Sequence, residues 1–156
     1  MVIYIGGDHR GFALKESLKD YLKQNGYEVV DVGAASFEEG DDYPDYAAAV
    51  SARISSDAYG ASRGIVICGS GVGVCIVANK YPNVRAGLVL NSDQAYLAKN
   101  DDDINVLCMA SDFTDEASAK MIVASWLQTT FSGEERHKRR LRKIQEVEIS
   151  LKESHP

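Results

Sequence analysis

Cys68-Gly69-Ser70-Gly71-Val72-Gly73 puts a thiol, a hydroxyl and three glycines into six consecutive residues, directly after an apolar run. Glycines at that density let a backbone approach a ligand closely, and a helix opening there offers unpaired N–H groups to an anion. The spacing is Gly-x-Gly-x-Gly, and Val74 stands at the third position of a dinucleotide fingerprint. No Lys-Ser/Thr follows either, so both nucleotide-binding patterns fit poorly. What remains is a loop suited to holding a small oxyanion beside Cys68. A helix N-terminus lowers a thiol below its free pKa of about 8.5, which makes Cys68 a base or a nucleophile. On residue type alone, the alternative is a small buried hydrophobe. Ser70 either hydrogen-bonds a reacting group or caps the helix. Cys75 and Cys108 lie within a helical and a strand pattern and read as ordinary core residues.

Two other segments follow apolar runs and so reach the same end of a sheet. Gly6-Gly7-Asp8-His9-Arg10-Gly11 offers a carboxylate and an imidazole, and Asn91-Ser92-Asp93 offers small polar groups. Tyr43 and Asp45, in Asp42-Tyr43-Pro44-Asp45, either line the same crevice or shape the turn before a helix. The other two histidines, His137 and His155, look incidental. Near the C-terminus comes a basic run, residues 136–143, in which Arg136 and Arg140 stand one helical turn apart and point the same way. Such a run is either a solvated face or a clamp for an anion.

Something must position these groups. Short β-branched runs at 2–5, 27–32, 64–68, 86–90 and 105–109 read as five strands, and their continuous apolar character suits a parallel sheet covered on both faces. Helical periodicity fills the gaps. Leu14, Leu18, Tyr21 and Leu22 form one face before Gly26, and further helices are expected over 46–54 and 114–127. The alternation predicts a doubly wound α/β sandwich, in which ligands bind beyond the carboxyl ends of the strands. A tail helix over 133–153 carries Ile144, Val147 and Leu151 at helical spacing. It must dock on the parent sheet or on a partner subunit.

Composition narrows the functional classes. A chain of 156 residues, 45% apolar and 26% charged, suits one domain over 1–156. Acidic residues outnumber basic ones, 23 to 17, the reverse of a general nucleic-acid binder. Three scattered cysteines without CxxC spacing make neither a disulfide framework nor a structural zinc site. No apolar run approaches a membrane span, and the start reads as a strand rather than a signal segment. The expectation is a soluble protein of the reducing cytoplasm.

Several of these pieces fall together in one family. Asp8-His9, Asp42-Tyr43-Pro44-Asp45-Tyr46, Ile67-Cys68-Gly69-Ser70-Gly71-Val72-Gly73-Val74 with Ala78-Asn79-Lys80, and Arg136-His137 with Arg140 resemble type B ribose-5-phosphate isomerase. The similarity runs over about residues 2–149, in the family's order. The group also contains galactose-6-phosphate and tetrulose-phosphate isomerases. The resemblance implies a Rossmann-like three-layer α/β/α sandwich with a five-stranded parallel sheet and an extra C-terminal helix. It implies no metal and no organic cofactor, a phosphorylated sugar substrate, and a homodimer or dimer of dimers with active sites at the subunit interface. It also implies roles. Cys68 matches the base that moves a proton between C1 and C2, Ser70 the residue assisting it, and the amides of Gly69, Gly71 and Gly73 the enediolate cradle. Asp8 and Tyr43 match substrate-contacting positions, and His9, Arg136 and Arg140 match phosphate-binding ones. With Val74 where one branch carries a glutamate, the chain falls in the cysteine branch.

Two departures stand out. Asp101 and Asp102 occupy the places of a His-Asn pair whose histidine helps open the furanose ring, so Asp102 takes over the asparagine's substrate-binding position. Ala110-Ser111-Asp112 replaces a Gly-x-Arg, with Arg10 as the nearest compensating cation. The leading expectation is a metal-independent isomerase of ribose 5-phosphate. The alternatives are another sugar phosphate (tetrulose, allose or galactose) and a non-catalytic sugar-phosphate binding subunit.

Overall fold

The computed structural model describes residues 1–154, so His155 lies outside the described residues. Five short strands form one parallel sheet: β1 Val2–Gly7, β2 Glu28–Asp31, β3 Arg63–Cys68, β4 Ala86–Leu88 and β5 Val106–Ala110. Their order across the sheet is β2-β1-β3-β5-β4. Six helices complete the chain: α1 Phe12–Gln24, α2 Tyr43–Ser55, α3 Val72–Ala78, α4 Ser92–Asp102, α5 Glu116–Gln128 and α6 Glu135–Ser154.

Period-two alternation in the strands sorts the core into two layers. Ile3, Ile5, Ile65, Ile67, Leu107 and Met109 face α1, α4 and α5, where Leu14, Leu18, Leu22, Ala95, Ile122 and Trp126 meet them. Val66, Cys68, Val106 and Cys108 face the other way, onto Ala47, Val50 and Ile54 of α2 and Val74 and Ala78 of α3. Each fully buried Leu or Ile in these layers contributes roughly 1.5–3 kcal/mol. The Trp126 indole, buried in the first layer, donates to the Ile104 carbonyl at 3.2 Å, so its polar edge is satisfied.

The element boundaries differ from the expected ones where local chemistry intervenes. α2 begins at Tyr43 rather than 46, with Pro44 in its first turn, where a missing N–H costs nothing. α5 begins at Glu116 because Asp115 caps it, its carboxylate accepting the Ser118 amide at 2.9 Å. β4 stops at Leu88, two residues early, as Gln94 takes the Leu90 amide and the Leu88 carbonyl through its side chain.

β1 has β2 on one side and β3 on the other, so successive connections leave β1 in opposite directions. That is the switch point of the sheet, where a crevice opens beyond the strand ends. Lys15, fully buried on α1, anchors the rim: its ammonium donates to Asp31 at 2.6 Å and to the Ala34 carbonyl at 2.8 Å.

Candidate active site

Cys68 ends β3 at this switch point, 4% exposed, with its side chain on the α2–α3 face. The chain then turns through Gly71, whose φ of +71° is a left-handed conformation that glycine adopts without strain. The turn brings the Gly71 amide back to donate to Cys68 Sγ at 3.2 Å. Ser70 is exposed beside it, its hydroxyl accepting the Val72 amide at 3.3 Å. Tyr43, from the start of α2, lies against Gly73: a β carbon there would come within 2.5 Å of the phenol ring. Glycine at 73 is therefore what allows the tyrosine to close this side of the crevice.

The loop after β1 supplies the opposite wall. The Asp8 amide donates to the Ile67 carbonyl at 3.4 Å, tying the two strand ends together. Asp8 is buried, and one of its carboxylate oxygens accepts the Gly11 amide at 3.0 Å. His9 is partly exposed, with Nδ1 2.7 Å from Asp41 Oδ1. That hydrogen bond raises the imidazole above its ordinary pKa, with burial working against it and the Asp8 charge adding to it. Burial pushes the Asp41 carboxyl up, yet donors from the His9 amide, the His9 ring and the Tyr46 hydroxyl outweigh this and leave it below the usual range. The Tyr46 phenol, hydrogen-bonded to that carboxylate, is pushed up to about 12. Arg10 forms an ion pair with Asp112 over Gly69, where a β carbon would meet Arg10 Nε at 2.6 Å. Ser111 completes the floor: its hydroxyl donates to the Arg10 carbonyl at 2.9 Å, and its amide donates to that of Cys68 at 3.0 Å.

The structure thus gathers Asp8, His9, Tyr43, Cys68, Gly69, Ser70, Gly71 and Gly73 at one edge of the sheet. Asp102, Arg136 and Arg140 are elsewhere. α4 leaves the carboxyl edge at Ser92 and runs back for about 16 Å, given its eleven residues at a rise of about 1.5 Å each. Its end is fixed at the amino edge, where Arg85, just before β4, hydrogen-bonds the Asp103 carbonyl at 2.8 Å. Asp102 is exposed there. α6 starts at the same edge, because the Ser132 amide donates to the Asn100 carbonyl at 3.0 Å. Arg136 and Arg140 are exposed on it, and Arg136 Nε pairs with Glu134 at 2.7 Å. Within one chain the arginines and the thiol cannot converge on one substrate.

His137, set aside from the sequence, is buried at 1% exposure. Its Nδ1 is 2.6 Å from Ser132 Oγ and its Nε2 3.7 Å from Asp101 Oδ1. Asp41 is not legible as a contact of the site, and Ser111 and Asp112 are legible only as the place of a missing arginine beside Arg10. Asp41 meets His9 across 32 positions and Ser111 meets Arg10 across 101, and no local spacing signals such pairs. Among the described residues, no group of three or more His, Cys, Asp or Glu is arranged to hold a metal ion. The arrangement can hold an oxyanion beside a thiol, with an imidazole and a carboxylate in reach of neighbouring oxygens.

Comparison with known proteins gives one answer throughout. Residues 3–144 match the family model described as ribose/galactose isomerase. The probable ribose-5-phosphate isomerase B of Mycoplasma genitalium is 42% identical over 142 residues, 91% of this chain and 92% of that one. The ribose-5-phosphate isomerase B of Escherichia coli is 38% identical over 146 residues, covering 94% and 95%. The Mycoplasma genitalium isomerase crystallised with bound ribulose 5-phosphate superposes with a TM-score of 0.91, at 41% identity and over 94% and 95% of the two chains.

Proposed function

The chain belongs to the ribose/galactose isomerase family, and from that premise we propose that it interconverts ribose 5-phosphate and ribulose 5-phosphate, with Cys68 as the base. The observation that carries this reading is the Cys68 thiol at the switch point, hydrogen-bonded by the Gly71 amide at the turn into α3. In the open-chain aldose, the Cys68 thiolate takes the proton from C2, and the bonding pair forms the C1=C2 double bond of an enediolate. The thiol then returns that proton to C1, while Ser70 relays a proton from O2 to O1, leaving the ketone at C2. Backbone N–H groups of the Gly69–Gly73 loop hold the charge that develops on oxygen. Asp8 and Tyr43 orient the hydroxyls, and His9 faces the phosphate.

The phosphate clamp comes from a second copy. Arg136 and Arg140 sit at the amino edge, exposed, on a helix whose Ile144, Val147 and Leu151 are each about half exposed. A groove beside that stripe is lined by Asn79, Tyr81, Pro82 and Val84. A homodimer that buries this face supplies each Cys68 with its partner's arginines, and a dimer of dimers repeats the arrangement. This chemistry belongs to the carbohydrate metabolism of the pentose phosphates. Three free thiols suit the reducing cytoplasm, and among the described residues no helix is long and apolar enough to cross a membrane.

The test is direct turnover of ribose 5-phosphate, alongside allose 6-phosphate, galactose 6-phosphate and erythrulose 4-phosphate. The expected result is turnover of ribose 5-phosphate that Cys68→Ala lowers roughly 10²-fold or more in kcat with KM little changed. A Cys68→Ala enzyme as active as the parent overturns the catalytic assignment. Preference for another of the four sugars moves the substrate and leaves the chemistry. Asp101 and Asp112, which replace a histidine and an arginine of the family pattern, are the observations that favour that second reading.

A further inference from the structure

His9 is tied to Asp41 twice, by its backbone amide at 2.8 Å and by Nδ1 at 2.7 Å, both to the same oxygen. The Asp41 side chain is only 6% exposed, and the Tyr46 phenol is its other polar neighbour. Fastening the loop does not require a buried charge, because Lys15 already holds the preceding turn through the Ala34 carbonyl. A carboxylate taken out of water is costly unless a cation faces it. With Nδ1 committed, Nε2 is left without a partner among the described residues, on a ring still 28% open to solvent.

We propose that Asp41 is a positioning residue: its Oδ1 accepts the Nδ1–H hydrogen bond of His9 and holds the ring as an imidazolium whose Nε2–H donates to the substrate's phosphate. The proposal rests on the sugar-phosphate reading above and names a member of that site. The surroundings agree. Asp8, on the same loop, adds negative charge near the ring. Phe37 meets the imidazole edge-on at 6.3 Å between centroids and contributes no charge. Arg10 is turned onto Asp112, and Lys15 lies over the Phe12 ring and is paired with Asp31, so neither cation opposes protonation of His9 directly. Tyr46 of α2 stays neutral through the working range and adds no charge. The His9 value is raised, so the cation persists above the ordinary titration range and is lost as pH rises through the raised value. Without Asp41 that loss moves to lower pH.

The experiment follows the imidazole by proton NMR in the full-length protein, with His9→Gln to assign its signal, and measures inorganic phosphate binding and ribose 5-phosphate kinetics in Asp41→Asn. The wild-type His9 midpoint is expected above the ordinary value of about 6.5, and lower in Asp41→Asn than in the wild type. The ratio of the variant's phosphate dissociation constant to the parent's should grow with pH, reaching roughly tenfold near pH 8. KM should rise there more than kcat falls. A wild-type midpoint at or below the ordinary value overturns the proposal, even if the variant does not fold. A shifted midpoint with unchanged phosphate binding overturns the phosphate contact. Absent turnover of ribose 5-phosphate alongside an intact titration and phosphate effect overturns the substrate reading and leaves this one standing.

Discussion

Asp112 meets the Arg10 guanidinium directly above Gly69, with both side chains partly in solvent. The pair lies next along the chain from His9, so on the proposed function Asp112 competes for Arg10 with the phosphate that His9 faces. An exposed pair of this kind is worth about 0.2–1 kcal/mol, which sets the scale of the competition. Asp112→Asn should therefore lower KM for the sugar phosphate and tighten inhibition by inorganic phosphate, each by up to about fivefold. Steady-state kinetics at low salt read the effect, and a KM that stays put or rises shows that Arg10 does not reach the substrate. Cys75 is a second residue that bears on how the site is tested. A hydrogen bond from Cys108, against the effect of burial, brings its thiol down to about 7, and the side chain is half-buried. Alkylation at neutral pH therefore has Cys75 as a second target, and substitution is the cleaner probe of Cys68.

The junction of α4 and α6 is where the chain leaves its family's pattern. Asp101 ends in a carboxylate 3.7 Å from the buried His137, which Ser132 holds from the other side. An ionised carboxylate only accepts hydrogen bonds, whereas an imidazole donates and accepts, as opening a furanose ring requires. Asp101→His should raise kcat/KM for ribose 5-phosphate by more than for erythrulose 4-phosphate, which has no phosphorylated furanose to open. Equal changes for both would show that ring opening does not pass through this position. The elements themselves were largely legible in the residues. Apolar runs marked all five strands, and the glycine loop marked the crevice, because strand pattern and glycine content are local properties. The reach of the site was not. Nothing in the spacing says that Asp41 folds back onto His9, or that His137, inside a basic run, is buried. Nor did the spacing of Arg136 and Arg140 reveal that α5 returns the chain to the edge opposite Cys68, where Ser132 meets the end of α4.

At the scale of the whole molecule, the proposed function gives one chain two half-sites. The carboxyl edge has the thiol, the amide loop, Asp8, His9 and Tyr43, and the amino edge has Asp102, Arg136 and Arg140. The proposed isologous pair of chains would bring each half to the other's complement, and the exposed apolar stripe of α6 is the surface it would bury. On the proposed function, Cys68 of one chain and the arginines of another act on the same sugar phosphate. It is tested most directly by mixing two inactive proteins, Cys68→Ala and the double variant Arg136→Ala with Arg140→Ala, under conditions that exchange subunits, and assaying ribose 5-phosphate. Half of the resulting dimers are mixed and each carries one complete site, so the account predicts recovery of about a quarter of wild-type activity. A mixture no more active than its components would contradict it.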